Sequence, residues 1–206
     1  MPRPAVRRAG VRATAALAAV AAILPLILAC RGGSAGAPGA IPGLADLART
    51  GETVLFARRF PLGPPAAGGE ASWALVVVVR MADGHEEMRL GEPAAAGFAQ
   101  VHATRPGDEF RNLDVEDING DGRPEIVGRW AGGQLEVVDV IGRGPEGGWR
   151  SLLQNAGQVI EERRRADRTI AFWITSRTYE EESGLPPVYE TRVWNWDGTA
   201  FSEESR

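Results

Sequence analysis

The residues best suited to chemistry lie in one short stretch of the chain. Oxygen-bearing side chains stand at alternate positions, Asp117, Asn119 and Asp121, and the carboxylate of Glu125 closes the stretch. Arg123 lies between the last two and can offer only its backbone carbonyl oxygen. Ca²⁺ takes about six to eight oxygen ligands, several of them charged. The pattern therefore predicts a Ca²⁺ site with these five residues as ligands, in a structural role and not a catalytic one.

The glycines of this stretch favour a tight loop. Gly120 and Gly122 reach positive φ without steric cost. A helix-loop-helix calcium loop would need a bidentate glutamate at its twelfth position, where Gly128 stands. The residues after Pro124 also have strand character, so a nine-residue loop that runs directly into a strand fits better. The alternative is a hairpin turn that binds no metal, since Asn-Gly and Asp-Gly are ordinary turn formers.

The run Leu113–Val127 resembles the calcium-binding segment of FG-GAP/VCBS repeats, the blades of integrin α-type β-propellers. The family pattern Asp-x-(Asp/Asn)-x-Asp-Gly-x-x-(Asp/Glu) is matched from Asp117 to Glu125. The Phe-Gly and Gly-Ala-Pro signatures of the family are not found at the blade positions. The resemblance implies a calcium loop within an antiparallel blade.

The N-terminal region predicts export and a lipid anchor. Residues 1–29 hold four arginines and no acid, and an apolar run from Ala15 to Ala29 follows the basic part. This run is shorter than the roughly 20 residues that span a bilayer. It ends at Cys30, the only cysteine, in a segment that resembles a bacterial lipobox, in which the cysteine is acylated. A plain secretory signal and a free buried thiol are the alternatives. Residues 30–43 are rich in Gly, Ala and Pro and predict a flexible tether.

The charge of the remaining chain limits its partners. The whole sequence has 23 basic and 27 acidic residues, and four of the basic ones lie in the predicted signal peptide. A net acidic domain argues against nucleic acid as a partner. The predicted location is the bacterial cell envelope, with the protein held at the membrane by its lipid and facing the periplasm or the cell exterior.

Residues 44–206 predict one β-rich domain. Short apolar runs of strand length alternate with Gly, Pro and Asp turns. Three acidic-glycine turns, Asp83-Gly84, Glu146-Gly147 and Asp197-Gly198, suggest a faint internal repeat. Three units are fewer than the about four to eight blades of a propeller. The prediction is an all-β fold of antiparallel blade-like sheets, with a small or incomplete β-propeller as its most specific form and ring closure left open. The predicted elements are one or two helical turns at Leu44–Thr50 and strands at Glu52–Phe60, Trp73–Met81, Glu86–Leu90, Phe98–Thr104, Pro124–Trp130, Gln134–Ile141, Trp149–Gln154, Gln158–Arg164, Thr169–Tyr179 and Pro187–Trp196.

Motifs for catalysis are scarce, so the sequence predicts a binding or adhesion-type module and not an enzyme. His85 and His102 are the only histidines, and they are interpreted as a turn residue and a strand residue. Trp194 and Trp196 lie on one face of a strand, where they would pack in the core or stack on sugar rings. The ligand is expected to be a protein or a glycan. A carbohydrate-binding module, or an accessory or enzymatic subunit that acts on glycans, is the alternative.

Overall fold

Strands make up nearly all the regular structure of the protein, as the sequence predicts. The computed structural model describes residues 41–63, 71–178 and 186–205. The predicted signal peptide, Cys30 and the tether as far as residue 40 lie outside the described residues. The elements are α1 (Leu44–Leu47), β1 (Thr53–Pro61), β2 (Trp73–Arg80), β3 (Glu86–Ala94), β4 (Gly97–Thr104), β5 (Glu109–Glu116), β6 (Glu125–Gly132), β7 (Leu135–Arg143), β8 (Trp149–Gly157), β9 (Val159–Arg164), β10 (Ile170–Thr178), β11 (Val188–Trp196) and β12 (Phe201–Glu203).

The twelve described strands form three antiparallel sheets of four. Sheet 1 contains β1 to β4, sheet 2 contains β5 to β8 and sheet 3 contains β9 to β12, and within each sheet every strand pairs with its neighbour in sequence. Each sheet is therefore a simple meander, as in a propeller blade. This arrangement confirms the predicted all-β fold of blade-like sheets.

Sheet 1 is covered on both faces, which explains the continuous apolar run in β2. Val76 and Val78 join a core shared with sheet 2. Leu75 and Val77 point to the opposite face and pack against Leu47 of α1. Because successive side chains of a strand point to opposite faces, a strand covered on both faces is apolar at consecutive positions.

Sheet 2 lies between the other two sheets. Ile126 of β6 belongs to the core shared with sheet 1, whereas the next residue, Val127, belongs to a core shared with sheet 3. Sheet 3 contributes Ile160, Phe172 and other inward-facing residues to this second core. The three sheets are thus stacked face to face, and burial of alternate apolar side chains is what joins them.

The acidic-glycine turns are not equivalent, which corrects the predicted repeat. Glu146-Gly147 and Asp197-Gly198 both join the third and fourth strands of their sheets. Asp83-Gly84 instead joins the second and third strands of sheet 1. The corresponding connection in sheet 1 is the short turn between β3 and β4, which contains no acid. The turn Asp83-Gly84 is therefore one hairpin earlier in its sheet than the other two turns are in theirs.

Candidate functional site

The predicted calcium loop connects β5 to β6 in the central sheet. The two strands pair in register up to the pair Glu116 and Glu125, so the intervening residues form a closed hairpin loop. Gly120 has φ 79° and Gly122 has φ 82°. Both glycines are left-handed, as the loop geometry predicted, and a residue with a Cβ would be strained at either position.

The polar side chains of the loop fold back onto its own amides. The two carboxylate oxygens of Asp117 accept hydrogen bonds from the N–H groups of Gly120 (2.7 Å) and Gly122 (3.0 Å). Asn119 Oδ1 accepts from Asp121 N–H at 2.9 Å. Asp121 Oδ1 accepts from Arg123 N–H at 2.8 Å. These bonds keep the side-chain oxygens close to the backbone of the loop. A carboxylate oxygen that accepts one N–H keeps a second lone pair for another partner.

Glu125, the last of the predicted ligands, is buried. Its residue is only 1% exposed, and its carboxylate accepts hydrogen bonds from Ile118 N–H (3.0 Å) and Asn119 Nδ2 (3.1 Å). The pKa of Glu125 is raised to about 7, chiefly by burial and further by the charges of Asp121 and Asp117, while the Ile118 N–H opposes the shift. The carboxylates of Asp117 and Asp121 are therefore close enough to Glu125 to disfavour its charged form.

The loop also joins sheet 2 to sheet 3. Ile118 has no exposed surface and belongs to the core between these sheets. Its carbonyl oxygen accepts a hydrogen bond from Ile170 N–H, at the start of β10, at 2.8 Å. A Cβ on Gly120 would lie 3.8 Å from the Thr169 side chain. The conformation of the loop thus positions the first strand residue of the neighbouring hairpin.

The structure places all five predicted ligands in this loop but does not gather three carboxylates at one point. Within residues 41–63, 71–178 and 186–205, no group of three or more His, Cys, Asp or Glu side chains is arranged to hold a metal ion. Asn119 and Glu125 are buried and in contact, whereas Asp117 is half-buried and Asp121 and Arg123 are exposed. Coordination by all five would require their oxygens to move toward a common centre.

A cavity opens to solvent beside the loop. Its volume is about 510 Å³, and Asp121, Gly122 and Arg123 form one side of it. The lining also includes Arg143, the last residue of β7, and Gly147 of the turn between β7 and β8. Arg143 is already engaged, because its guanidinium pairs with the Glu92 carboxylate and lies 4.5 Å from the Trp149 ring centroid. Arg123 is thus the exposed cation of this cavity.

A second polar cluster, between sheets 1 and 2, was missed by the sequence analysis. Asp139 in β7 is fully buried and accepts hydrogen bonds from Ser151 Oγ (2.7 Å) and Thr104 Oγ1 (3.1 Å). Burial raises the pKa of Asp139. Burial also lowers the pKa of the nearby His102, against the attraction of Asp139. Because Ser151 donates directly to Asp139 and not to His102, this cluster lacks the hydrogen-bond order of a Ser-His-Asp triad.

The remaining predicted functional residues have structural positions. His102 lies in β4 and His85 in the turn before β3, where its N–H bonds to Asp83 Oδ1 at 3.1 Å. Trp194 and Trp196 pack against the core between sheets 2 and 3. The Trp196 ring centroid lies 5.5 Å from that of Phe201. Of the two alternatives for this tryptophan pair, the structure therefore agrees with packing against the core.

Comparison with known proteins gives no identification. No protein-family model, curated protein or solved structure matches the chain. Among the described residues, no helix is long and apolar enough to cross a membrane.

Proposed function

We propose that this protein is an exported, lipid-anchored binding module of the bacterial cell envelope, with a structural Ca²⁺ in the loop between β5 and β6. The observation that carries the calcium site is the buried carboxylate of Glu125. It lies beneath two further acids and has no cationic partner among the described residues. A buried carboxylate of this kind is costly unless a cation or proton neutralises it.

The donors suit a hard divalent cation. Asp117, Asp121 and Glu125 would supply charged oxygens, and Asn119 and the Arg123 carbonyl would supply neutral ones. All five donors are oxygens, which matches the preference of Ca²⁺ and not that of Zn²⁺. Binding would remove the mutual repulsion that contributes to the raised pKa of Glu125.

The role of the ion would be to fix the junction between two sheets. The Glu125 carboxylate accepts a hydrogen bond from the Ile118 N–H, and the Ile118 carbonyl accepts one from the Ile170 N–H of sheet 3. An ion that fixes Glu125 would therefore restrain both bonds. At about 1 mM Ca²⁺ and a dissociation constant of about 10⁻⁴ M, typical of extracellular modules, the gain in stability is about 1.4 kcal/mol.

A calcium titration tests the site directly. The full chain, stripped with a chelator, is melted at increasing Ca²⁺ beside Asp121→Asn and the control Asp83→Asn. Asp83 is also a turn acid that binds a backbone N–H, but it lies in sheet 1. The expected result is a calcium-dependent rise in Tm for the parent and for Asp83→Asn, and none for Asp121→Asn. An equal rise in all three proteins would place the ion elsewhere, and no rise in the parent would remove the calcium site from the proposal.

The lipid anchor requires a separate test. Intact mass of the protein recovered from bacterial membranes should show a diacylglyceryl group on Cys30. Cys30→Ser should lose this group and leave the membrane fraction. An unmodified Cys30 in membrane-bound protein would contradict the anchor without affecting the calcium site.

The ligand of this module is expected to be a protein or a glycan, and the cavity beside the loop favours a glycan. Its lining is mostly polar, with Asp121, Arg123 and backbone groups of Gly122 and Gly147, and such groups can hydrogen-bond sugar hydroxyls. Glycan-array binding that depends on Ca²⁺ and is lost in Arg123→Ala would support this role. Binding that is retained in Arg123→Ala would exclude this cavity as the glycan site.

A further inference from the structure

An exposed aromatic corner lies on the outer face of sheet 1. It consists of Arg59, Trp73 and Phe98. The Trp73 residue is 39% exposed, although it begins the largely buried strand β2. The Arg59 guanidinium lies 5.6 Å from the Trp73 ring centroid and 5.9 Å from the Phe98 ring centroid. The corner therefore presents an amphipathic indole and a cation side by side.

The N-terminal part of the described chain reaches the fold next to this corner. Ile41, which the sequence assigns to the tether, packs in the same cluster as Phe98. Gly43 has φ 83°, and a Cβ there would lie 2.1 Å from Phe98 Cδ2. The chain therefore passes directly against the Phe98 ring, so the preceding residues begin from the side of the aromatic corner.

The length of the preceding segment limits how far this corner can lie from the lipid. Ten residues separate Cys30 from Ile41. The predicted tether, taken as a flexible coil of that length, would have a root-mean-square span of about 17 Å. A fold of about 165 residues has a radius of gyration of about 15 Å, and hence a diameter of about 40 Å. The side on which the chain enters is consequently held closer to the membrane than the opposite side.

From this placement we infer that the aromatic corner rests on the bilayer surface, with the Trp73 indole in the headgroup region and Arg59 toward the lipid phosphates. This inference rests on the proposed lipid anchor. Tryptophan favours the membrane interface because its ring is apolar and its N–H is polar, and arginine extends its charge toward the headgroups. An acid also lies at the corner, because Asp46 Oδ2 accepts the Phe98 N–H at 2.9 Å. With a cation and an anion among its described residues, the corner suits a zwitterionic surface.

The opposite end of the stack offers a matched control. Trp173 lies on the outer face of sheet 3, and the Arg163 guanidinium lies 3.9 Å from its ring centroid. This is also an arginine and tryptophan pair, although Arg163 is in addition ion-paired with Glu161 at 2.7 Å, and it lies on the sheet farthest in the stack from sheet 1. It therefore serves as a control for the position of such a pair relative to the entering chain.

The experiment measures tryptophan quenching in vesicles. The full lipidated chain is reconstituted into phosphatidylcholine vesicles that carry dibrominated acyl chains, and emission is compared for the parent, Trp73→Phe and Trp173→Phe. The signal lost in each variant reports the quenching of that tryptophan. Trp73 is expected to be quenched at least twofold more than Trp173. Arg59→Glu should reduce the quenching of Trp73, whereas Arg163→Glu should not.

Equal quenching of the two tryptophans, or quenching of neither, would overturn the inference. Intact mass of the same preparation shows whether Cys30 is acylated, so a failed orientation and a failed anchor are distinguished. If Cys30 is acylated and Trp73 is not quenched, the anchor stands and the orientation is wrong. If Cys30 is not acylated, the chain is mixed with the same vesicles. Preferential quenching of Trp73 would then still support the corner as a membrane surface, and its absence would refute it.

Discussion

Replacing Glu125 by glutamine should stabilise the metal-free protein and abolish the stabilisation that calcium gives to the parent. The glutamine side chain has nearly the same shape as the native glutamate but carries no charge. In the metal-free protein the native carboxylate is buried beneath two other acids, and its pKa is about 7 instead of 4.5. Since the folded-state pKa is raised, the cost of the charge is absent below about pH 4.5, grows between 4.5 and 7, and is complete above pH 7.

The size of the effect follows from this pKa. The difference corresponds to about 3 kcal/mol at pH 8. Glutamine cannot accept both native hydrogen bonds, because its NH₂ group would face the Asn119 Nδ2 donor, and that loss costs about 1 kcal/mol. The net expectation for metal-free Glu125→Gln is a gain of about 2 kcal/mol, or about 4–8 °C in Tm for a domain of this size.

Calorimetry at pH 8 in chelator and in about 1 mM Ca²⁺ measures both effects. In chelator the variant should melt above the parent, whereas Ca²⁺ should raise the Tm of the parent and leave that of the variant unchanged. At about pH 4 the advantage of the metal-free variant should disappear. A variant that melts well below the parent in chelator at pH 8 would show that the Glu125 charge carries no such cost. An undiminished calcium response in the variant would show that Glu125 is not a ligand.

Three further substitutions test other parts of the fold. Asp139→Asn should become more stable relative to the parent as pH rises from about 4 to 8, because burial raises the pKa of the native carboxyl above its ordinary 3.8. Urea titrations measure this difference in unfolding free energy, and a difference that does not change with pH would contradict the prediction. Arg168→Gly should raise the unfolding free energy by up to about 1 kcal/mol, since Arg168 has φ 74° and glycine relieves that strain; a lower value would show that the residue is not strained. Gly128→Ala should lower the Tm strongly, at a cost of about 3 kcal/mol, because its Cβ would lie 2.1 Å from the buried Trp130 ring. The control Gly148→Ala, with open space around the new Cβ, should change the Tm little. Equal effects of the two substitutions would refute the packing argument.

The strands could be predicted because the sequence marks both their interiors and their ends. The run from Ala74 to Val79 is apolar at every position, and its burial on both faces follows from the stacking of sheet 1 between α1 and sheet 2. The strand β5 was not predicted. Residues 109–112 are mostly polar and lie at the edge of sheet 2, where one side of the strand has no neighbour in the sheet. Such a strand shows little hydrophobic alternation, so its assignment depends on pairing with β6.

The candidate site was only partly predictable, because spacing identifies donors but not their surroundings. The alternating oxygens from Asp117 onward gave the loop and its left-handed glycines. They did not show that Glu125 is buried or that Ile118 joins the core of the next sheet. For Ile118 the signal was an apolar residue inside a polar loop, and for Asp139 it was an acid within the buried valines of β7. Neither signal identifies the partners, since these lie on other strands: Ile170 for Ile118, and Thr104 and Ser151 for Asp139.

Side chains bridge both junctions in the stack, and the junction between sheets 2 and 3 has in addition a backbone bridge that bears on what calcium would control. Between sheets 1 and 2, side chains bridge directly, as when the Trp149 indole donates to Glu92 at 2.6 Å. Between sheets 2 and 3, side chains also bridge directly, as when Arg129 pairs with Glu162 at 2.7 Å. A further bridge at this junction runs through backbone groups of the loop, from Ile118 to Ile170. A side-chain bridge depends on two rotamers, but the backbone bridge depends on the conformation of the whole loop. An ion that fixes the loop would therefore stabilise the second junction selectively and leave the first, next to the proposed membrane surface, unchanged.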